Sequence, residues 1–420
     1  MENMENLKTF TPYQKLIIAL IALTHFTIIL DFMVLSPLGD FLIKDLEIST
    51  TQFGLVVSGY AFSAGISGLL TAGFADRFDR KKLLLFFYSG FIGGTLLCGL
   101  ANTYIVLLIA RIITGLFGGV IGSITMAIIT DLFTLEQRGR VMGFVQMGFG
   151  ASQVLGIPIS LYLANHWGWQ SPFLMVVGIA VIIAVMLIIK MQPITRHLEL
   201  QNDRSAVTHL LKTVANRQYR IGYTATAFLS IGGFMMMPFG SAYAINNLLV
   251  TPEQLPLLFM IAGLGSLIIM PLVGRVADKV DKLKLFAIAS LYMMVMVVIY
   301  TNLTPQPFWI IVVINVLMMA GILSRMVPSM ALVTAVPEMR DRGAFMSVNS
   351  SLQQIAGGIA AAVAGMIVVQ KDKFSPLEHY NTLGYVMVGI SVLAIWLIWR
   401  VRKVVMGKGV AKTEVVVQEV

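Results

Sequence analysis

The chain is short of the residues on which soluble enzymes depend. Charged residues make up 12% of its 420 positions, against about 25% in an ordinary soluble domain. A single cysteine, Cys98, excludes an internal disulfide. Five scattered histidines beside that one cysteine cannot assemble a usual zinc site. The sequence holds no His-x-x-x-His pair, no Gly-x-Ser-x-Gly elbow and no phosphate-cradling Gly-Lys-Ser/Thr loop. No metal, no cofactor and no enzymatic activity are therefore expected.

What the chain has instead is apolar length. With 57% hydrophobic residues, it divides into runs of about twenty, each long enough to cross a ~30 Å hydrocarbon layer as a helix. Helices are required because lipid offers no partner to an unpaired backbone. Twelve spans are predicted, near 15–38, 52–74, 82–101, 104–130, 140–163, 171–190, 217–245, 254–274, 284–303, 308–334, 343–369 and 380–400. The short polar amino terminus has no small-residue cleavage site, so span 1 is expected to be retained. The net charge of +9 reflects topology and not nucleic-acid binding. With both termini cytoplasmic, 25 of the 30 Lys and Arg face inward, while the outer loops hold only Lys44, Lys371 and Lys373. That asymmetry predicts a multi-pass protein of the inner or plasma membrane.

The charged hinge GFADRFDRKKLLLF at 73–86 returns as GRVADKVDKLKLF at 274–286, with Asp76 and Asp79 matching Asp278 and Asp281. Arg138-Gly139 likewise returns as Arg342-Gly343. Two matches at nearly one offset mark a duplicated unit. The predicted organisation is a six-helix bundle over 1–190, a polar cytoplasmic linker over 191–216 and a second bundle over 217–402. A short surface helix is expected near 207–214, and the cytoplasmic tail over 403–420 is expected to be disordered.

The pattern Gly-x-x-Asp-Arg-x-x-Arg-Lys between two spans resembles the loop signature of the major facilitator superfamily, departing at Asp79, where that family usually has Gly. Trp167–Phe173 before span 6 and Leu107-x-x-x-Arg111-x-x-x-Gly115-x-x-Gly118 in span 4 also resemble it. The resemblance implies an all-α membrane protein with twelve transmembrane helices in two pseudo-symmetric six-helix bundles. It further implies that spans 1, 4, 7 and 10 line a central cavity. In the family the first hinge gates the inner side, which here assigns Asp76, Arg77, Arg80, Asp131 and Asp278 to a gate. The alternative is that these charges only set topology.

An ionisable group inside a span costs about 2.5–3.5 kcal/mol on insertion scales and is a functional candidate by default. Of 21 acidic residues only Asp31 lies deep in a span. Arg111 lies at the same depth on span 4, since each is about seven residues from its outer end. A carboxylate and a cation at one depth suit proton coupling, and by resemblance the arginine is associated with proton transfer. A purely structural ion pair is the competing reading. Arg325 in span 10 is expected to snorkel toward the cytoplasm. His25 is expected to be packed or hydrogen-bonded, with a relay role as the alternative.

Polar and adaptable side chains within spans supply candidate substrate contacts: Gln146, Gln153, Ser230, Phe234, Met237, Asn315, Asn349 and Gln353. Helix-to-helix hydrogen bonding and packing compete for each. Span 5 carries Gly148, Ser152, Gly156 and Ser160 on one face, with Pro158 beside them. This stripe resembles the fifth-span motif of the family's antiporters, and close packing alone would also produce it. The resulting expectation is a secondary transporter resembling the drug:proton antiporters and sugar-efflux permeases, a monomer that exports an amphipathic small molecule in exchange for protons. Import of a sugar or organic acid by symport or facilitation is the alternative.

Overall fold

The computed structural model describes residues 10–71, 77–195, 198, 206–338 and 341–418. Among them, twelve helices are long and apolar enough to cross a membrane. They are span 1 (Pro12–Val34), span 2 (Thr50–Thr71), span 3 (Arg80–Gly99), span 4 (Tyr104–Leu132), span 5 (Gln137–Trp167) and span 6 (Ser171–Lys190). The second six are span 7 (Arg217–Asn246), span 8 (Leu255–Ala277), span 9 (Lys282–Thr301), span 10 (Phe308–Thr334), span 11 (Arg342–Ile367) and span 12 (Tyr380–Gly407).

Polar caps start several of these helices. Thr11 closes a capping box with Gln14 at the start of span 1, Thr103 caps span 4 and Asn216 caps span 7. The duplicated aspartates do the same work twice. Asp79 accepts a hydrogen bond from the Lys81 amide at 2.9 Å, and Asp281 accepts from the Lys284 amide at 3.0 Å. A carboxylate at this position satisfies an orphan N–H and meets the positive end of the helix dipole. That is a physical reason for Asp79 where the loop signature has Gly. Asp79 also accepts from the Ile194 amide at 2.9 Å, fastening the start of the linker to the first bundle. Asp281 pairs with Arg402 of span 12 at 2.6 Å. Its carboxyl is held below the usual range, first by the Lys284 amide.

The structure modifies the expected map in four places. Span 1 stops at Val34, and a separate short helix, Gly39–Asp45, follows it. Span 5 contains a π-helical turn at Ser152–Gly156, and span 7 is interrupted by a 3-10 turn at Met237–Phe239, where Pro238 cannot donate to the helical ladder. The surface helix of the linker is Ala206–Ala215. The tail expected to be disordered is helical instead. The final helix runs from Tyr380 to Gln418, with no proline to stop it beyond Arg402.

Hydrogen bonds join the two halves at the end of the bundle away from the termini, the outer end in the orientation that the basic residues predict. Ser36 donates to the Met237 carbonyl, and Ser241 donates to the Ser36 carbonyl at 3.0 Å. Asn246 donates to Asp40 at 2.6 Å. Thr50, Thr51 and Ser58 of span 2 donate to carbonyls of Val368, Gly365 and Gly358 at 2.6, 2.9 and 2.8 Å. Spans 2 and 11 meet backbone to backbone, because a Cβ on Gly54 would lie 2.7 Å from the Ala361 carbonyl. These bonds hold the two halves together at that end of the bundle.

Candidate functional site: a buried ion pair in the first bundle

Span 4 reaches its position through glycine. A Cβ on Gly115 would lie 2.2 Å from the Ser63 hydroxyl and 2.3 Å from the Tyr60 carbonyl. One on Gly119 would lie 2.5 Å from the Ala64 Cα. Spans 2 and 4 therefore touch along their backbones, and the Tyr60 ring comes to rest on the Arg111 guanidinium, 4.5 Å from its centroid. Gly94 lets span 3 approach Thr114 in the same way.

Within this close-packed group, Arg111 Nη1 donates to Asp31 Oδ2 at 2.8 Å. Thr95 of span 3 donates to Asp31 Oδ1 at 3.2 Å. Both charges are buried, with side chains 0% and 1% exposed for Asp31 and Arg111. The pair thus has an aromatic face, a hydroxyl and no direct path to water. Among the described residues the Nε–H of Arg111 has no hydrogen-bond partner. Phe32, one residue beyond Asp31, lies 5.2 Å from Tyr60 and 6.0 Å from Phe234 of span 7, so an aromatic contact links the site to the second bundle.

Chemically, a fully buried carboxylate held by one cation has two stable conditions. It is ionised while paired, and neutral once the pair is separated, because an isolated buried charge is far costlier than a buried acid. Breaking the pair and moving a proton are therefore coupled events. The sequence identified both charges. It missed Tyr60 and Thr95, whose roles depend on helix packing: a hydroxyl within a helix ordinarily bonds its own backbone, so nothing in the local pattern singles out Thr95.

The other candidates separate. Gln153, within the π turn, accepts from Ser266 of span 8 at 2.8 Å, a bond between the halves. Gln146, one heptad earlier, is exposed. Asn315 is buried in span 10. Asn349 keeps a buried amide oxygen without a partner, Gln353 is half-buried, and Ser230 is buried. Phe234 contacts Phe32, and Met237 contributes its carbonyl to Ser36. None of these eight lines a groove of about 860 Å³ that runs between spans 1 and 5 past Phe26, Phe144, Met147 and Leu155.

At the end of the bundle that carries the termini, Arg80 donates through Nε to Asp131 at 3.0 Å, joining spans 3 and 4. Arg77 is exposed. Asp76 and the side chain of Asp278 lie outside the described residues. The span 5 stripe packs on span 1: Gly148 meets Ala22 and Phe26, Gly156 meets Leu30, and Ser152 donates to the Gly148 carbonyl at 2.8 Å. One expectation is corrected. Arg325 does not snorkel but is 5% exposed and points into the second bundle, where Ser391 and Met293 receive its N–H groups. His25, expected to be packed or hydrogen-bonded, is half-buried, and its Nδ1 has no hydrogen-bond partner among the described residues.

Comparison with known proteins gives a consistent picture. The family model described as Major Facilitator Superfamily matches residues 21–244 and again 222–417, once per half. An uncharacterized MFS-type transporter of Bacillus subtilis is 26% identical over 62% of this chain and 66% of its own length. A probable sugar efflux transporter of Helicobacter acinonychis is 25% identical over 60% of this chain and 63% of its own length. The alignments thus span slightly under two thirds of these relatives. A bacterial homologue of the human lysosomal transporter Spinster, solved inward-facing and occupied, superposes with a TM-score of 0.74 at 17% identity, over 94% of this chain and 98% of that one. Two repeats of one family model on twelve membrane helices carry the assignment: this chain belongs to the Major Facilitator Superfamily of membrane transporters.

Proposed function

We propose that the protein is a proton-coupled exporter of amphipathic small organic molecules, working by alternating access with both termini cytoplasmic. The observation that carries this reading is the Asp31–Arg111 pair, fully buried at 2.8 Å in a chain whose other acids lie outside the deep membrane. Outer closure, through Asp40–Asn246, Ser36–Met237 and the span 2–span 11 seam, corresponds to a state open toward the cytoplasm. In that state Asp31 is ionised and paired. When the protein opens outward, water reaches the pair, Asp31 takes a proton and Arg111 is released. Return to the inward state delivers the proton to the cytoplasm and re-forms the pair. A potential of 100 mV supplies about 2.3 kcal/mol per charge moved, enough to bias such a cycle.

The inner charges Arg80 and Asp131, with Asp76, Arg77 and Asp278, serve as the gate that holds the inner side shut in the outward state. Gln146, Gln153, Ser230, Phe234, Met237, Asn315, Asn349 and Gln353 remain the proposed substrate contacts, with Phe234 best placed through its contact to Phe32. A relative named a probable sugar efflux transporter supports the outward direction. The test is transport in inverted vesicles with an imposed pH gradient. Export predicts uptake into vesicles that is acid-inside driven and collapses with a protonophore. Uptake only when protons move with the substrate would establish import by symport instead.

A further inference from the structure

Among the described residues, the second bundle contains a buried cation with no buried anion to match it. Residues 217–402 hold seven acids, Glu253, Asp278, Asp281, Glu338, Asp341, Asp372 and Glu378, and none lies within a membrane span. Arg325 nevertheless lies inside span 10, 5% exposed. Its described surroundings are neutral. Nη1 donates to the Ser391 hydroxyl of span 12 at 3.0 Å and to the Met293 sulfur of span 9 at 3.5 Å. The Phe286 ring lies 5.5 Å from the guanidinium carbon. Nη2 has no partner.

A second unpartnered group lies on the same wall. Phe286, Ser290 and Met293 follow one another at helical spacing on span 9, so the side chain between the two that touch Arg325 is Ser290. Its hydroxyl is fully buried and without a hydrogen-bond partner. One turn above Arg325, Gly321 abuts the Met293 backbone, 2.9 Å from where a Cβ would lie, which holds spans 9 and 10 in register here. Among the described residues, two orphaned donors, one of them cationic, thus lie where spans 9 and 10 meet, on the face of span 9 that carries Phe286 and Met293. The Ser391 proton is already given to the Met387 carbonyl.

We propose that Arg325 Nη2 and Ser290 Oγ form a binding site for a small monovalent anion of the chloride class. Water would satisfy the two donors but leave the positive charge uncompensated in a low-dielectric interior, where that cost is greatest. Phosphate or sulfate would bring several oxygens needing donors, and only two donors are free. A halide supplies the charge and accepts both N–H and O–H. The site lies on the face of span 10 that meets span 9, apart from the Asp31–Arg111 pair, and would brace the second bundle.

The experiment uses the full-length protein purified in detergent, in sodium gluconate exchanged stepwise for sodium chloride or bromide at constant ionic strength. The expected result is a saturable rise of the unfolding midpoint with halide, absent in Arg325→Met and shifted to higher halide concentration in Ser290→Ala. Crystals of the parent grown in bromide should show an anomalous peak between Arg325 and Ser290. Equal midpoints in gluconate and halide would overturn the proposal, as would an undiminished halide effect in Arg325→Met. Should Arg325→Met fail to fold, Ser290→Ala and the bromide peak decide: a parent-like midpoint curve in Ser290→Ala, or no peak at this position, refutes the site.

Discussion

Replacing Asp31 by Asn removes one charge from a pair whose members are 0% and 1% exposed, leaving the Arg111 guanidinium buried without a counter-ion. Breaking a buried pair from one side costs about 3–5 kcal/mol. Here the Tyr60 face remains over the stranded guanidinium, 4.5 Å away, so the cation is not left wholly among apolar groups. The expected loss for Asp31→Asn is therefore near the low end, about 3 kcal/mol. Arg111→Met should cost less, about 1–3 kcal/mol, because the stranded carboxyl takes up a proton and still accepts from Thr95. The double variant removes both charges from a dry, close-packed site and should recover much of the loss, giving a coupling energy of at least about 2 kcal/mol. The assay is reversible denaturation of parent, both single variants and the double variant in one detergent. Additive losses, within about 0.5 kcal/mol, would refute the claim that the two groups compensate each other.

Gly115→Val places side-chain atoms where the Ser63 hydroxyl and Tyr60 carbonyl already stand. It should destabilise by about 1–3 kcal/mol or more and displace Tyr60 from Arg111, whereas Gly122→Ala, with nothing within 4 Å, should leave the thermal midpoint unchanged. Gln153→Ala or Ser266→Ala removes a 2.8 Å bond between the halves worth about 1 kcal/mol. Either should shift the equilibrium roughly fivefold toward the outward-open state, as read from spin-label distances across the outer mouth; unchanged distances would show that this bond does not hold the state.

The fold was largely legible because apolar length, basic asymmetry and the duplicated hinge each act over many residues. The Asp31–Arg111 contact was legible for a simpler reason: two charges at equal depth on neighbouring helices have few alternatives in lipid. Tyr60 and Thr95 were not legible, since their meaning depends on the approach that Gly94 and Gly115 permit. Arg325 was misread because its position near the inner third of span 10 suits snorkelling, while the outcome was set by Ser391, Met293 and Phe286 on two other helices. The π turn at Ser152–Gly156 likewise had no distinct sequence signal. At that turn Gln153 reaches span 8 to accept from Ser266.

The central claim is that Asp31 carries the coupled proton. The most direct measurement is proton release or uptake by the purified protein on addition of a transported compound in weakly buffered solution, in parent and in Asp31→Asn. The account predicts a substrate-dependent proton exchange in the parent that is lost in Asp31→Asn, although that variant still binds the compound. An equal proton signal in both proteins would contradict it.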